Sequence, residues 1–239
     1  MDKYSILKQY YGHSAFRAGQ EALIDAILSG RDALCVMPTG GGKSLCYQIP
    51  ALLLPGITLV VSPLISLMKD QVAALKSAGV PAAYINSSLT GEQIRTVYAR
   101  TRKGAYKLIY VAPERLETNS FLSLMQEMDV SFLAVDEAHC ISQWGQDFRP
   151  SYLGIVDFIN ALPRRPIVAA YTATATKQVQ SDILRLLQLQ SPYRIVTGFD
   201  RPNLYFDVRR PKNKFSALAA LIDERRGRSG IVYCATRAA

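Results

Sequence analysis

Six short apolar runs recur along the chain at intervals that leave room for a helix between most neighbouring pairs. The runs are rich in β-branched residues and cover residues 33–37, 57–62, 82–86, 107–111, 132–135 and 166–172. Amphipathic stretches separate them; one ends at Gly30, and others span residues 64–78, 91–102 and 176–187. Strands that are apolar along their whole length are typical of sheets covered by helices on both faces. The pattern predicts an α/β fold with a doubly wound parallel sheet, in which ligands bind at the carboxyl ends of the strands.

The composition favours a folded protein of a reducing compartment. A hydrophobic content of 49% over 239 residues is enough for a packed core. Residues 44–68 carry no charge, but Pro50, Pro55, Gly56 and Pro63 are expected to divide this run into helix, strand and helix. The four cysteines show no C-x-x-C spacing, and no long apolar segment follows the charged N-terminus. We expect a cytoplasmic protein with no membrane contact, disulfide framework or zinc site.

The positive charge is concentrated in the last quarter of the chain. The net charge is +9, and residues 185–239 hold 11 of the 28 Lys and Arg residues but only 4 of the 19 Asp and Glu residues. A basic segment can bind a polyanion such as nucleic acid, and it can equally be a solvated surface. Charge alone therefore does not identify a partner.

The end of the chain indicates a second domain. A strand is predicted over Tyr193–Val196, followed by Phe-Asp-Arg-Pro-Asn at 199–203, a basic connector and a helix-like segment. We assign residues 1–199 to one domain and residues 200–239 to a linker with the beginning of another. A strand is predicted over Gly230–Cys234, and since one strand cannot bury itself, we expect this second domain to be incomplete.

A glycine-rich segment, Met-Pro-Thr-Gly-Gly-Gly-Lys-Ser, follows the first apolar run and precedes a helical stretch. Glycines let the backbone turn successive N–H groups onto phosphate oxygens at a helix N-terminus. In such a loop Lys43 reaches the β- and γ-phosphates and the Ser44 hydroxyl binds Mg²⁺. A turn that binds nothing is the alternative, and Met37 stands where the strict motif has glycine. The flanking strand and helix favour a phosphate site formed by Thr39, Gly40, Gly41, Gly42, Lys43 and Ser44.

Two adjacent carboxylates follow the apolar run at residues 132–135. Such a pair at the end of a buried strand is costly unless a cation lies beside it. Asp136 is expected to hold Mg²⁺, and Glu137 to orient and deprotonate an attacking water molecule. Solvated loop acids are the alternative, which the phosphate loop on the same sheet makes less favourable.

The segment Phe-Arg-x-x-Gln at residues 16–20 precedes the first strong helical pattern. The Gln20 amide can pair with the N6/N7 edge of adenine, and Arg17 can pack on the ring. A helix cap with surface polar residues would have the same sequence, so this signal is weak by itself.

A polar and aromatic segment covers residues 142–150. Trp144 and Phe148 can stack on the bases of a single strand while Arg149 contacts phosphate. Rings folded onto the domain's own core fit the composition equally well. Thr172 and Thr174 close another strand at the same edge of the sheet, where their hydroxyls can relay between a nucleotide site and a nucleic-acid site.

Together these motifs resemble the RecQ family of superfamily 2 DNA helicases. The matching segments are, in order, Tyr11-Gly12 with Phe16 to Gln20, Gly40 to Ser44, Val61 to Asp70, Tyr110 to Arg115, Asp136 to His139, Trp144 to Arg149, Thr172 to Thr174 and Ile231 to Cys234. The run from Asp136 to Pro150 is the most family-specific, and its Trp144 to Arg149 loop disfavours an RNA helicase or a chromatin-type translocase.

The resemblance implies a RecA-like first lobe of the P-loop NTPase type, the start of a second RecA-like lobe, and ATP with Mg²⁺ as cofactors. It implies 3′ to 5′ unwinding, with single-stranded and tailed duplex DNA as partners. The implied roles are catalysis for Lys43, Asp136, Glu137 and His139, adenine recognition for Arg17 and Gln20, DNA contact for Ser62, Lys69, Trp144, Phe148 and Arg149, and coupling for Thr172 and Thr174. The family's later lobe motifs, including an arginine that completes the ATP site, and its zinc-binding and winged-helix modules are missing from these residues. An ATP- and DNA-binding module without turnover is therefore the alternative.

Overall fold

The computed structural model describes residues 2–198 and 204–234. The chain divides into two units, residues 1–199 and residues 200–239. The segment at residues 199–203, where we place the domain boundary, lies outside the described residues. The domain division therefore stays a prediction.

The first unit is built on a seven-stranded parallel sheet. Its strands are β1 (Ala33–Val36), β2 (Ile57–Val61), β3 (Ala82–Ile85), β4 (Leu108–Val111), β5 (Val130–Val135), β6 (Ile167–Thr172) and β7 (Tyr193–Val196). Their order across the sheet is β3-β4-β2-β5-β6-β1-β7, and every pair is parallel. All six apolar runs form strands, as does Tyr193–Val196, so the predicted doubly wound parallel sheet is confirmed.

Helices cover both faces of this sheet. They are α1 (Lys3–Tyr11), α2 (Gln20–Leu28), α3 (Lys43–Leu53), α4 (Ile65–Ser77), α5 (Gly91–Arg102), α6 (Asn119–Gln126), α7 (Gly154–Ala161) and α8 (Lys177–Leu186). One face packs on α2, α3 and α4, and the other on α5 to α8, which gives two separate apolar cores. Among the described residues, no helix combines the length and apolar character needed to cross a bilayer.

Pro50 lies inside α3 rather than at its end. A proline in a helix has no N–H to donate to the carbonyl four residues earlier, here that of Cys46. The Tyr171 hydroxyl donates to this carbonyl at 3.2 Å. Pro50 therefore does not end the helix, because the Tyr171 side chain from β6 replaces the missing donor. The helix, strand and helix predicted for residues 44–68 are present as α3, β2 and α4.

The second unit contributes one helix among its described residues, α9 (Lys214–Glu224). The strand predicted over Gly230–Cys234 is not formed, and these residues are exposed. A strand needs a partner for its backbone groups, and the described part of this unit offers no second strand. The apolar run of the sequence is therefore insufficient to form a strand here.

Candidate nucleotide and nucleic-acid site

The carboxyl ends of three neighbouring strands carry the sequence motifs. Because β5, β6 and β1 are adjacent in the sheet, the acidic pair, the threonines and the glycine loop lie at one edge. A cavity of about 420 Å³ opens there. Its walls include Arg17, Gln20, Thr39, Gly40, Gly42, Lys43, Ser44, Asp136 and Glu137. The fold thus brings the predicted nucleotide-binding residues together.

The glycine loop has the backbone conformation that the sequence predicts. Gly40 and Gly42 have φ angles of 79° and 84°, in the left-handed region that favours glycine. Lys43 begins α3, and its Nζ donates to the Met37 carbonyl at 2.9 Å, so the ammonium group lies against the loop. A Cβ on Gly41 would stand only 2.6 Å from the Cγ of Met37, which is too close for a side chain at this position. Met37 therefore packs against Gly41 of the loop, and phosphate binding by this loop stays a prediction.

Gln20 and Arg17 brace this loop from the amino-terminal segment. The Gln20 Nε2 donates to the carbonyls of Gly41 and Gly42 at 3.1 and 3.3 Å, and its Oε1 accepts from the Arg17 backbone N–H at 2.8 Å. The Arg17 guanidinium donates to the Gly40 carbonyl. The structure thus gives the Gln20 amide partners in the protein, and pairing with adenine stays a prediction.

The acidic pair is held in a buried position at the end of β5. Burial, together with the neighbouring charge of Glu137, raises the pKa of Asp136 from 3.8 to about 6, and the charge of Lys43 opposes this shift. A cation beside such a carboxylate favours its charged form. No group of three or more metal-ligating side chains exists among the described residues. A cation here would thus take most of its ligands from phosphate oxygens and water, which is how Mg²⁺ binds with nucleotides.

His139 connects the acidic pair to the threonines of β6. Its Nδ1 lies 2.9 Å from the Thr172 Oγ1 and 3.3 Å from a carboxylate oxygen of Glu137. The Thr172 hydroxyl donates to the Thr174 carbonyl at 3.1 Å, so it is free to accept from a protonated Nδ1. These contacts form a continuous chain from Glu137 to Thr174.

Residues 142–149, which we call the aromatic loop, project Trp144 into solvent. The Trp144 side chain is 74% exposed, so it is not a core residue. Phe148 is half-buried and lines a cavity of about 400 Å³ together with Trp144. The Arg149 guanidinium donates to Asp147 at 2.7 Å and to the Pro63 carbonyl at 3.0 Å. An exposed ring and a cation in the same loop suit contact with a nucleic acid.

The segment that follows β2 offers one of its two predicted DNA contacts at the surface. Lys69 is exposed on α4. Ser62 is only 1% exposed, and its hydroxyl has no hydrogen-bond partner in the described part of the chain. Its buried position does not fit a direct contact with DNA, because it sits at the end of a central strand where its N–H donates to the Val111 carbonyl.

Two further polar residues support the aromatic loop, and sequence reasoning missed both. Asp182 accepts a hydrogen bond from the Ser142 hydroxyl at 2.7 Å, and Tyr152 donates to the Asp136 carbonyl at 2.8 Å. Asp182 shares a buried helical face with Val179 and Ile183. A carboxylate on such an apolar face is a signal that could have identified it. Nothing in the sequence distinguishes Tyr152 from a core aromatic residue.

Comparison with known proteins gives a consistent family. The DEAD/DEAH box helicase family matches residues 17–182, more than half of the chain. The ATP-dependent DNA helicase RecQ of Bacillus subtilis is 49% identical over 98% of this chain and 40% of the relative. RecQ of Haemophilus influenzae is 49% identical over 98% of this chain and 38% of the relative. The chain thus spans about 40% of the length of these curated relatives.

A solved structure supports the fold. The crystal structure of the DUF1998 helicase MrfA superimposes with a TM-score of 0.70 at 18% identity, covering 99% of this chain and 38% of that chain. The identity is too low to carry function, but the similarity agrees with the RecA-like fold expected from the motifs. The family match and the RecQ relatives confirm the resemblance drawn from the sequence: the chain belongs to the DEAD/DEAH box helicase family and is similar to its RecQ members.

Proposed function

We propose that this chain is the ATP-binding lobe of a RecQ-type DNA helicase, which binds ATP with Mg²⁺ and single-stranded DNA. The observation that carries the proposal is the single cavity shared by the glycine loop and the acidic pair. Unwinding of a tailed duplex in the 3′ to 5′ direction is proposed for a protein of the relatives' full length, since the chain spans about 40% of it.

Each group in the cavity has a role in this proposal. The loop N–H groups and Lys43 bind phosphate oxygens, while Ser44 and Asp136 hold Mg²⁺. When bound, the metal supplies positive charge that reduces the repulsion between the phosphates and the carboxylates. Glu137 orients a water molecule and accepts its proton, and His139 keeps Glu137 connected to Thr172.

DNA binding is proposed for the neighbouring surface. Trp144 and Phe148 offer rings for base stacking, and Arg149 and Lys69 offer charge for phosphates. The Arg149 contact with the Pro63 carbonyl supports a continuous track, because it joins the aromatic loop to the segment that precedes α4. Ser62 is not part of this track, because its side chain is buried.

Trp144 provides a direct test, because it is the only tryptophan of the chain. We expect a short oligodeoxythymidylate to quench or shift its emission at low salt, and added salt to reverse the change. Phe148→Ala should weaken this binding about 5- to 150-fold, as base stacking contributes about 1–3 kcal/mol. The matched control is Phe215→Ala, which removes an exposed ring in α9. If Trp144 emission does not change on addition of DNA at any salt concentration, the aromatic loop is not part of the DNA site.

Gln20→Ala tests how the base is recognised. Calorimetry should show weaker binding of both ATP and GTP, because the variant removes two hydrogen bonds to the glycine loop. ATP should lose more affinity than GTP if the amide also reads the adenine edge, and we expect this larger loss. Equal losses for the two nucleotides would limit Gln20 to bracing the loop.

A further inference from the structure

The aromatic loop is fixed at both ends to elements of the first unit. At its start, the Ser142 hydroxyl donates to Asp182 of α8 at 2.7 Å and accepts from the Trp144 N–H at 3.2 Å. At its end, the Arg149 N–H donates to the Cys140 carbonyl at 2.9 Å. These hydrogen bonds restrict the motion of the loop and connect it to α8 and to the segment that contains Cys140.

Tyr152 extends the second anchor into the nucleotide site. Its side chain is fully buried, and its hydroxyl donates to the main-chain carbonyl of Asp136 at 2.8 Å. That carbonyl belongs to the peptide unit that joins Asp136 to Glu137. The carbonyl of the peptide between the two acidic residues is thus held by the Tyr152 side chain.

The conformation of Glu137 gives this hydrogen bond a specific role. Glu137 has φ 47°, in the left-handed region that a residue with a Cβ adopts only at an energetic cost. The plane of the preceding peptide helps to set this angle, and that plane is the one that Tyr152 holds. Without the hydroxyl, less would oppose relaxation of Glu137 away from the cavity that its side chain lines.

The same tyrosine responds to the loop. Its backbone N–H donates to the Arg149 carbonyl at 3.0 Å, so the two residues share one turn. The Arg149 guanidinium is engaged by Asp147 and by the Pro63 carbonyl. A DNA phosphate that draws Arg149 away from Asp147 would shift the turn that carries Tyr152.

We infer that Tyr152 is a positioning residue that links the aromatic loop to the Asp136–Glu137 peptide. The inference rests on the proposed function and deepens it by naming the group through which the DNA surface and the nucleotide cavity affect each other. Because coupling between two binding sites is reciprocal, it is measurable as the factor by which one ligand changes the affinity for the other.

The test compares wild type with Tyr152→Phe, which removes the hydroxyl and keeps the ring. The dissociation constant of an oligodeoxythymidylate is measured from Trp144 emission, with and without a Mg²⁺-bound non-hydrolysable ATP analogue. In the wild type we expect the analogue to change this constant about fivefold or more. In Tyr152→Phe the factor should fall below about twofold, while the affinity for each ligand alone stays within about twofold. Tyr98→Phe, which trims a tyrosine of the same core that lies outside the site, should keep the wild-type factor.

The outcomes separate the inference from the function on which it rests. Wild type that binds neither ligand overturns both. If the wild type binds both ligands and Tyr152→Phe keeps the full coupling factor, the inference alone is overturned. A coupling factor of one in the wild type also overturns the inference alone. Hydrogen exchange gives a readout that needs no ligand: amides of residues 136–140 should exchange faster in Tyr152→Phe, while those of β3 stay unchanged. Unchanged exchange at residues 136–140 would also contradict the inference.

Discussion

Lys43→Ala is expected to weaken ATP binding by about a hundredfold or more. The Lys43 ammonium lies against the glycine loop, where its Nζ donates to the Met37 carbonyl, and it is the lysine that lines the cavity. A charge-assisted hydrogen bond contributes about 1.5–3 kcal/mol, and one ammonium can make more than one to a triphosphate. Calorimetry with Mg²⁺ and ATP measures the change.

The matched control for this variant is Lys76→Ala. Lys76 lies in the last turn of α4, is exposed and lines a different cavity. Its removal should leave ATP affinity within about twofold, which corresponds to about 0.4 kcal/mol. Equal affinities in wild type and Lys43→Ala would show that the nucleotide does not bind across the glycine loop.

Asp136→Asn is expected to stabilise the fold at neutral pH while it removes Mg²⁺-dependent nucleotide binding. Burial raises the pKa of the Asp136 carboxyl from 3.8 to about 6. Below pH 3.8 the group is neutral in the folded and unfolded chain, and its ionisation costs nothing. As the pH rises through about 6, the Asp136 carboxyl is already ionised in the unfolded chain and becomes ionised in the folded chain, where burial opposes its charge. The stability present at low pH is thus lost, and the loss reaches about 3 kcal/mol.

Urea denaturation at pH 4 and pH 8 measures this effect. The free energy of unfolding of Asp136→Asn should exceed that of wild type by up to about 3 kcal/mol at pH 8 and much less at pH 4. The control Asp70→Asn removes an exposed carboxyl of α4 and tests whether the effect requires burial of the carboxyl group. A difference that is the same at both pH values would mean that burial of Asp136 does not penalise its charge. In the wild type, Mg²⁺-dependent ATP binding should weaken as the pH falls through about 6.

The sheet and the conformation of the glycine loop could be predicted from the sequence because each rests on a local rule. Apolar runs of strand length separated by helical stretches specify a parallel sheet, and parallel sheets place their ligands at one edge. Gly40 and Gly42 adopt the left-handed conformation that glycine permits. Here local pattern and final structure agree.

The remaining features depend on neighbours that are distant in sequence. Pro50 stays inside α3 because Tyr171 supplies a donor, and the Gly230–Cys234 run has no strand to pair with among the described residues. Ser62 is buried because β2 is a central strand. The exposure of Trp144 could not be predicted from composition, since an aromatic ring in a loop can pack on the core or project into solvent. Such features need tertiary information that no local pattern contains.

The position of β1 in the sheet has a consequence for how the chain folds during synthesis. Both of its neighbours, β6 and β7, come from residues 167–196, although β1 itself ends at Val36. At a translation rate of about 5–20 residues per second, the strand before the glycine loop waits on the order of ten seconds for a partner. The proposed nucleotide site therefore forms late, after most of the unit has left the ribosome. ATP binding by a nascent chain would thus report that this unit has finished folding.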